Sequence, residues 1–213
     1  VIKKYSVLIC LVNSVIFIVI ATLVYPGGSL LDINSTGFDW SKNFFSNLFA
    51  AIAINGSENP SRIWALIGMT FHSVGYGVFF INMAKKISER HTCTILKMIG
   101  AVNILFTSLI ATPLHDIMVI ISSTLFLIGL FYITVYLLKT KLHLLKFSCI
   151  ICLLTFYYTL YLYGSGDWGL LALMQKISFI SSMLLVLGLE YFTKQNDFEQ
   201  LKPGGQKMQA TNR

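Results

Sequence analysis

Six long apolar runs divide this chain, at about residues 6–25, 63–84, 95–113, 117–138, 147–163 and 169–192. Each is close to the roughly 20 residues a helix needs to cross about 30 Å of hydrocarbon. The widest gap, residues 26–61, exceeds an ordinary connection and calls for structure of its own. It opens with Tyr25-Pro26-Gly27-Gly28, where proline ends the helical ladder and the glycines permit a sharp turn. Farther on, Trp40, Phe44, Phe45, Leu48, Phe49 and Ile52 form an apolar stripe, with Asn43, Ser46, Asn47 and Ala50 on the other side. That pattern predicts an amphipathic helix over 39–55, begun by Asp39 or Ser41 and closed by Asn55-Gly56. Its polar positions predict that it lies in the interface rather than crossing.

Only 12 % of the 213 residues are charged, and the mean hydropathy of +0.72 is far from that of a soluble domain. The net charge of +7 raises the question of nucleic acid, and its placement answers it. Lys3 and Lys4 precede the first run, and Lys85, Lys86, Arg90 and Lys97 surround the second gap. Lys139, Lys141 and Lys146 fill the fourth, and Lys194, Lys202, Lys207 and Arg213 follow the last run. The intervening gaps hold only Lys42 and Arg62 beside five acids. This alternation is the positive-inside pattern, which places both termini in the cytoplasm and leaves no nucleic-acid footprint. The fold class expected is therefore an all-α integral membrane protein of the cell membrane. Six transmembrane helices form one domain over 1–192, and a polar cytoplasmic tail follows over 193–213. The first run is read as an anchor, because it is too long for a signal core and lacks a small-residue cleavage site. Cys10, Cys149 and Cys152 fall inside spans and Cys93 in a cytoplasmic gap, so no disulfide framework is expected.

Polar groups inside apolar runs carry the candidate chemistry, because they are costly to keep there. His72 lies near the middle of the second span, sharing a face with Gly68 and Gly75. Asn13 and Asn103 fall at similar depth, so the three are expected to hydrogen-bond to one another. Lys176, about six residues below the outer end of the last span, needs a counter-charge, for which Asp167 and Asp116 are candidates. Gln175, Ser178 and Ser182 form a polar face beside it. Asn43 and Asn47 are the polar candidates of the first outer segment. At the outer mouth His115 and Asp116, with Asp39 and Asp167, supply the residue types of a zinc or general-base site, but not the H-x-x-x-H or H-E-x-x-H spacing. No P-loop, dinucleotide fingerprint, nucleophile elbow or internal repeat occurs, and no cofactor is evident.

The stretch "YPGGSLLDINSTGFDWSKNFFSNL" with the following "NGSENPSR" resembles a group of uncharacterised bacterial multi-helix membrane proteins of unknown function. More distantly, the layout is similar to the DRAM-like autophagy-modulator family. The resemblance implies six helices and a patterned first outer loop, and no established reaction. Many such relatives carry an acidic residue after the loop serine, where this chain has Asn47 after Ser46. Three functions are carried forward: a non-enzymatic lipid-interacting or regulatory module, a metal-dependent membrane hydrolase at the outer face, and a small-solute transporter. The expected partners are membrane lipids, with another membrane protein or a second copy as further candidates.

Overall fold

The computed structural model describes residues 2–109, 112 and 114–199. Among these it is all-α: α1 (Ile2–Leu23), α2 (Ser61–Lys86), α3 (Arg90–Leu109), α4 (His115–Leu137), α5 (His143–Ser165), α6 (Trp168–Phe192) and the short α7 (Gln195–Glu199). Five of these helices are long and apolar enough to cross a membrane: α1, α2, α4, α5 and α6. α3 is 20 residues long, but Arg90, His91 and Lys97 make its first half polar.

Helix boundaries follow local capping chemistry. α2 starts where Asn59 Oδ1 accepts the Ser61 N–H at 3.2 Å, and α6 where Asp167 accepts that of Leu170 at 3.2 Å. α3 starts after Glu89, whose carboxylate takes the N–H groups of His91 at 2.8 Å and Thr92 at 2.6 Å. Those bonds from Thr92 and His91 hold the Glu89 carboxyl down at about 2. α5 stops at Gly166, which adopts φ 75° and donates to the Leu162 carbonyl at 3.1 Å.

The expected helix over 39–55 is not formed. Its backbone instead makes a turn at Asp39–Asn43, a five-residue 3-10 turn (Phe45–Phe49) and a bend closed by an isolated bridge between Ile52 and Glu58. Side chains have captured the groups a helix would use. Asn43 Oδ1 accepts the Asp39 N–H at 2.9 Å, and Asn47 Oδ1 accepts that of Phe44 at 2.7 Å. Phe44 and Ala50 are correspondingly extended. The apolar stripe still faces inward at Phe44, Phe45, Leu48 and Phe49, whereas Trp40 and Ile52 are exposed.

α2 is the hub, packed along α1 on one side and α3 on the other; α4, α5 and α6 continue the circuit, and α6 returns to touch α1 and α2. Small residues permit the close approaches. A Cβ on Gly68 would stand 3.1 Å from the Ser14 carbonyl of α1, and one on Gly77 would stand 2.8 Å from the Gly100 carbonyl of α3. At the end remote from the 26–60 loop, Phe79, Phe80, Met83, Leu96, Leu130 and Leu189 make a fully buried core. Phe198 of α7 joins it, so the first residues of the tail are folded against the bundle. Lys86 Nζ closes the same end, donating to the carbonyls of Leu189 and Glu190 and to Thr193 Oγ1.

Two glycines give opposite expectations for one substitution. Gly77→Ala forces a methyl group against Gly100 and Ile104 and should cost about 1–3 kcal/mol. Gly164→Ala, with nothing within 4 Å of the added atom, should gain about 0.5–1 kcal/mol. Thermal unfolding in detergent measures both signs.

Candidate functional site

The 26–60 loop folds over one end of the bundle and is built to stay there. Gly27 and Gly28 take φ of 137° and 82°, which brings the chain around so that Gly28 N–H meets the Ser35 carbonyl at 2.8 Å. Asn43, fully buried, donates to the Gly28 carbonyl at 2.6 Å while accepting from Asp39. Asn59 donates to the carbonyls of Ala50 at 2.8 Å and Asn47 at 3.2 Å, tying the far side of the loop to the start of α2.

Lys176 joins this loop to α6. Its ammonium donates to the Asn43 carbonyl and, at 2.7 Å, to the Ala172 carbonyl, and it lies 5.7 and 5.6 Å from the ring centres of Phe38 and Phe45. No carboxylate of the described residues stands within ion-pair distance of it. Asp167, expected as a counter-charge, is exposed and caps α6 instead. The neighbouring Gln175 makes a second tie, its Oε1 accepting the Phe45 N–H at 2.8 Å.

Beneath the loop lies a cavity of about 500 Å³, walled by α2, α3, α4, α5 and α6 and roofed by Phe44–Asn47 and Phe49. A continuous series of rings runs along it. Phe45 meets Phe179 with centroids 5.2 Å apart, Phe179 stacks on His72 at 4.8 Å, and His72 lies 4.1 Å from Tyr76. Tyr76 meets Phe126 at 5.3 Å, and Phe126 meets Phe156 at 5.1 Å. Hydroxyls interrupt this apolar wall in satisfied pairs. Ser182 Oγ donates to the Phe179 carbonyl, so the Tyr76 hydroxyl is the donor in its 2.7 Å bond to Ser182. Thr159 Oγ1 likewise donates to the Thr155 carbonyl, which makes Ser178 the donor in the 2.8 Å Thr159–Ser178 pair. No lysine, arginine, aspartate or glutamate lines the cavity among the described residues.

Several lining residues are also exposed on the flank of the bundle: Ile120 of α4 at 51 %, Tyr163 of α5 at 44 % and Trp168 of α6 at 47 %. The cavity therefore reaches the surface sideways. α5 packs against α6 but is otherwise largely bare, which is why the wall is incomplete there.

The structure separates several groups that the sequence suggested would meet. Asn13 donates to the Ile9 carbonyl of its own helix at 2.8 Å, and His72 Nδ1 has no partner among the described residues, so the three-way network of Asn13, His72 and Asn103 is not formed. His72 and Asn103 do line the same cavity. Asp39 accepts from the Ser41 hydroxyl at 2.6 Å and its N–H at 2.8 Å, bonds that hold its carboxyl below the usual range, and it pairs with Lys42 at 3.6 Å. The side chains of His115 and Asp116 lie outside the described residues. Among the described residues, no three of His, Cys, Asp and Glu group as metal ligands. Asn59 was missed by the sequence reading, although an Asn-Pro-Ser just ahead of an apolar helix is a capping signal that would have found it.

Comparison with protein-family models, with curated proteins and with solved structures gives no match to this chain.

Asn43→Ala removes the side-chain bonds to Asp39, Gly28 and Asn47 that hold the loop in register and leaves the Gly28 carbonyl without that donor. A loss of about 1–3 kcal/mol is expected. Amide exchange should rise at Asp39, Phe44 and Phe45 while the middle of α2 stays protected.

Proposed function

We propose that this protein is a non-enzymatic membrane module that holds a lipid-type ligand inside its bundle, admitted from the side between α4 and α5. The observation that carries this reading is the cavity itself: about 500 Å³, aromatic-walled and reaching the bundle flank through exposed apolar side chains. Ligand sites of this volume, largely apolar with a few placed polar groups, are the ordinary form of small-molecule pockets. In a bilayer the flank faces hydrocarbon, so an acyl chain could enter without passing through water. Asp39 is held in a turn and paired with Lys42, Asp167 caps a helix, and none of the described acids lines the cavity, which supports binding over hydrolysis.

In this reading all six long helices span the membrane, as the resemblance of residues 25–62 to six-helix proteins of unknown function also implies. The loop faces outward and both termini face the cytoplasm. Tyr5 of α1 packs beside Tyr191 near the end of α6, and Leu8 N–H donates to the Tyr191 hydroxyl at 3.1 Å, so the start of α1 and the end of α6 share one end of the bundle. Lys85, Lys86, Arg90, Lys139 and Lys141 lie at helix ends or connections assigned to that side. Trp40, Trp64, Tyr163 and Trp168 belong to the loop end, as an interfacial aromatic belt would.

Ser123 lines the cavity from α4 and is only partly buried. Ser123→Phe fills space rather than removing a contact, so the variant should remain folded. Native mass spectrometry of the wild type released from mild detergent should show one retained lipid-sized adduct, absent from the variant. An adduct equally retained by both would count against the cavity as its place. For the orientation, Ser57→Cys and Lys141→Cys are placed separately in a chain freed of its four cysteines. A membrane-impermeant maleimide applied to intact cells should label the first and spare the second.

A further inference from the structure

The cavity's polar groups specify more than a hydrocarbon chain. We infer that its ligand is a single-chain amphiphile with an uncharged head rich in hydrogen-bond acceptors, of the monoacylglycerol or fatty-amide kind, and that the amide groups of Gln175 and Asn47 receive that head. This rests on the binding function proposed above and adds the chemical class of the ligand.

Gln175 and Asn47 both line the cavity. Each uses its oxygen on the backbone of the 3-10 turn: Gln175 Oε1 takes the Phe45 N–H at 2.8 Å, and Asn47 Oδ1 takes that of Phe44 at 2.7 Å. Those bonds fix which way each amide is turned, because a backbone N–H needs the oxygen and not the NH2 group. Both NH2 groups are thus directed away from the turn, and neither has a partner among the described residues. Two donors without acceptors at the roof of a largely apolar chamber match a ligand that brings acceptors.

Charge sets the remaining limit. A carboxylate or phosphate in this chamber would lose its hydration and find no charged side chain in the described wall to pair with; Lys176 is outside the lining, and two of its three N–H donors are held by Asn43 and Ala172. An ester, amide or hydroxyl head has no such cost. A volume of about 500 Å³ lies in the lower half of the range for ligand pockets, which suits one chain rather than two. The hydroxyl pairs deeper in the wall are already satisfied by one another, so the deeper chamber takes the chain, with His72 Nδ1 a buried acceptor or donor there that has no partner among the described residues.

Trp168 on the cavity rim provides the reporter. The Trp40→Phe, Trp64→Phe double variant retains Trp168 as its single tryptophan. Reconstituted in phosphatidylcholine vesicles, it is titrated with 9,10-dibromostearoyl glycerol, with 9,10-dibromostearate at pH 8, and with brominated phosphatidylcholine as the bulk-lipid reference. The glycerol ester should quench saturably, at a mole fraction at least tenfold below that of the fatty acid anion. Gln175→Glu keeps an oxygen for the Phe45 N–H but replaces the NH2 donor by a carboxyl group. It should weaken the ester at least tenfold while the helical circular dichroism stays that of the wild type, with a lower melting temperature at pH 8, where a carboxylate is held in the chamber, than at pH 5. Equal or tighter binding of the anion overturns the head-group assignment while leaving a lipid cavity. Unchanged ester binding in Gln175→Glu overturns the assignment of that amide. If neither probe quenches beyond the bulk-lipid reference, the cavity reading itself fails.

Discussion

A lysine in the third turn of an apolar helix must be satisfied locally, and this requirement organises the loop end of the molecule. Lys176 meets it with two carbonyl oxygens and two aromatic faces. One carbonyl belongs to its own helix, but the other belongs to Asn43, so the loop cannot leave without stranding a buried cation. Charge-assisted hydrogen bonds are worth about 1.5–3 kcal/mol each, and each cation–π contact adds about 0.5–2. Together these contacts hold Phe45 over the bundle mouth. The Gln175 bond to Phe45 then repeats the tie one residue away.

The fixed roof turns a packing shortfall into a chamber. α2 lies against α1 and α3 through glycine faces, and the opposite end of the bundle is filled by large side chains. At the loop end, α4, α5 and α6 present serines and threonines where the other end has leucine and phenylalanine. Smaller side chains leave space, and the ring series from Phe45 to Phe156 keeps the walls from collapsing into it, because stacked aromatics have few alternative rotamers. The cavity is thus a property of composition along three helices, held open by a fourth set of contacts.

Hydropathy made the long helices legible from the sequence, because a run of twenty apolar residues leaves the backbone little alternative. Observed ends lie within a few residues of the apolar runs, and they extend beyond them where Asn59 or Glu89 supplies a polar cap that hydropathy does not register. The segment 39–55 failed for the complementary reason. Its apolar stripe was real and faces inward, but Asn43 and Asn47, counted as the polar face of a helix, spend their oxygens on nearby backbone N–H groups and break it. Periodicity records which side of a segment is buried; it does not record a side chain that competes with the backbone.

The same distinction accounts for the candidate site. Its polar members on α6, Gln175, Ser178 and Ser182, were visible as one face of a helix, and His72 and Asn103 as groups at shared depth. Their partners were not, because the loop that roofs them and the rings that separate them come from distant parts of the chain. A polar group deep in an apolar bundle has two ways to be tolerated, by a neighbour or by something bound. Ser182, Ser178 and Lys176 have neighbours. The amide NH2 groups of Gln175 and Asn47 do not among the described residues, and both line the chamber. Since an unmet donor costs about 1–3 kcal/mol in such surroundings, two at one place weigh against a chamber filled by hydrocarbon alone.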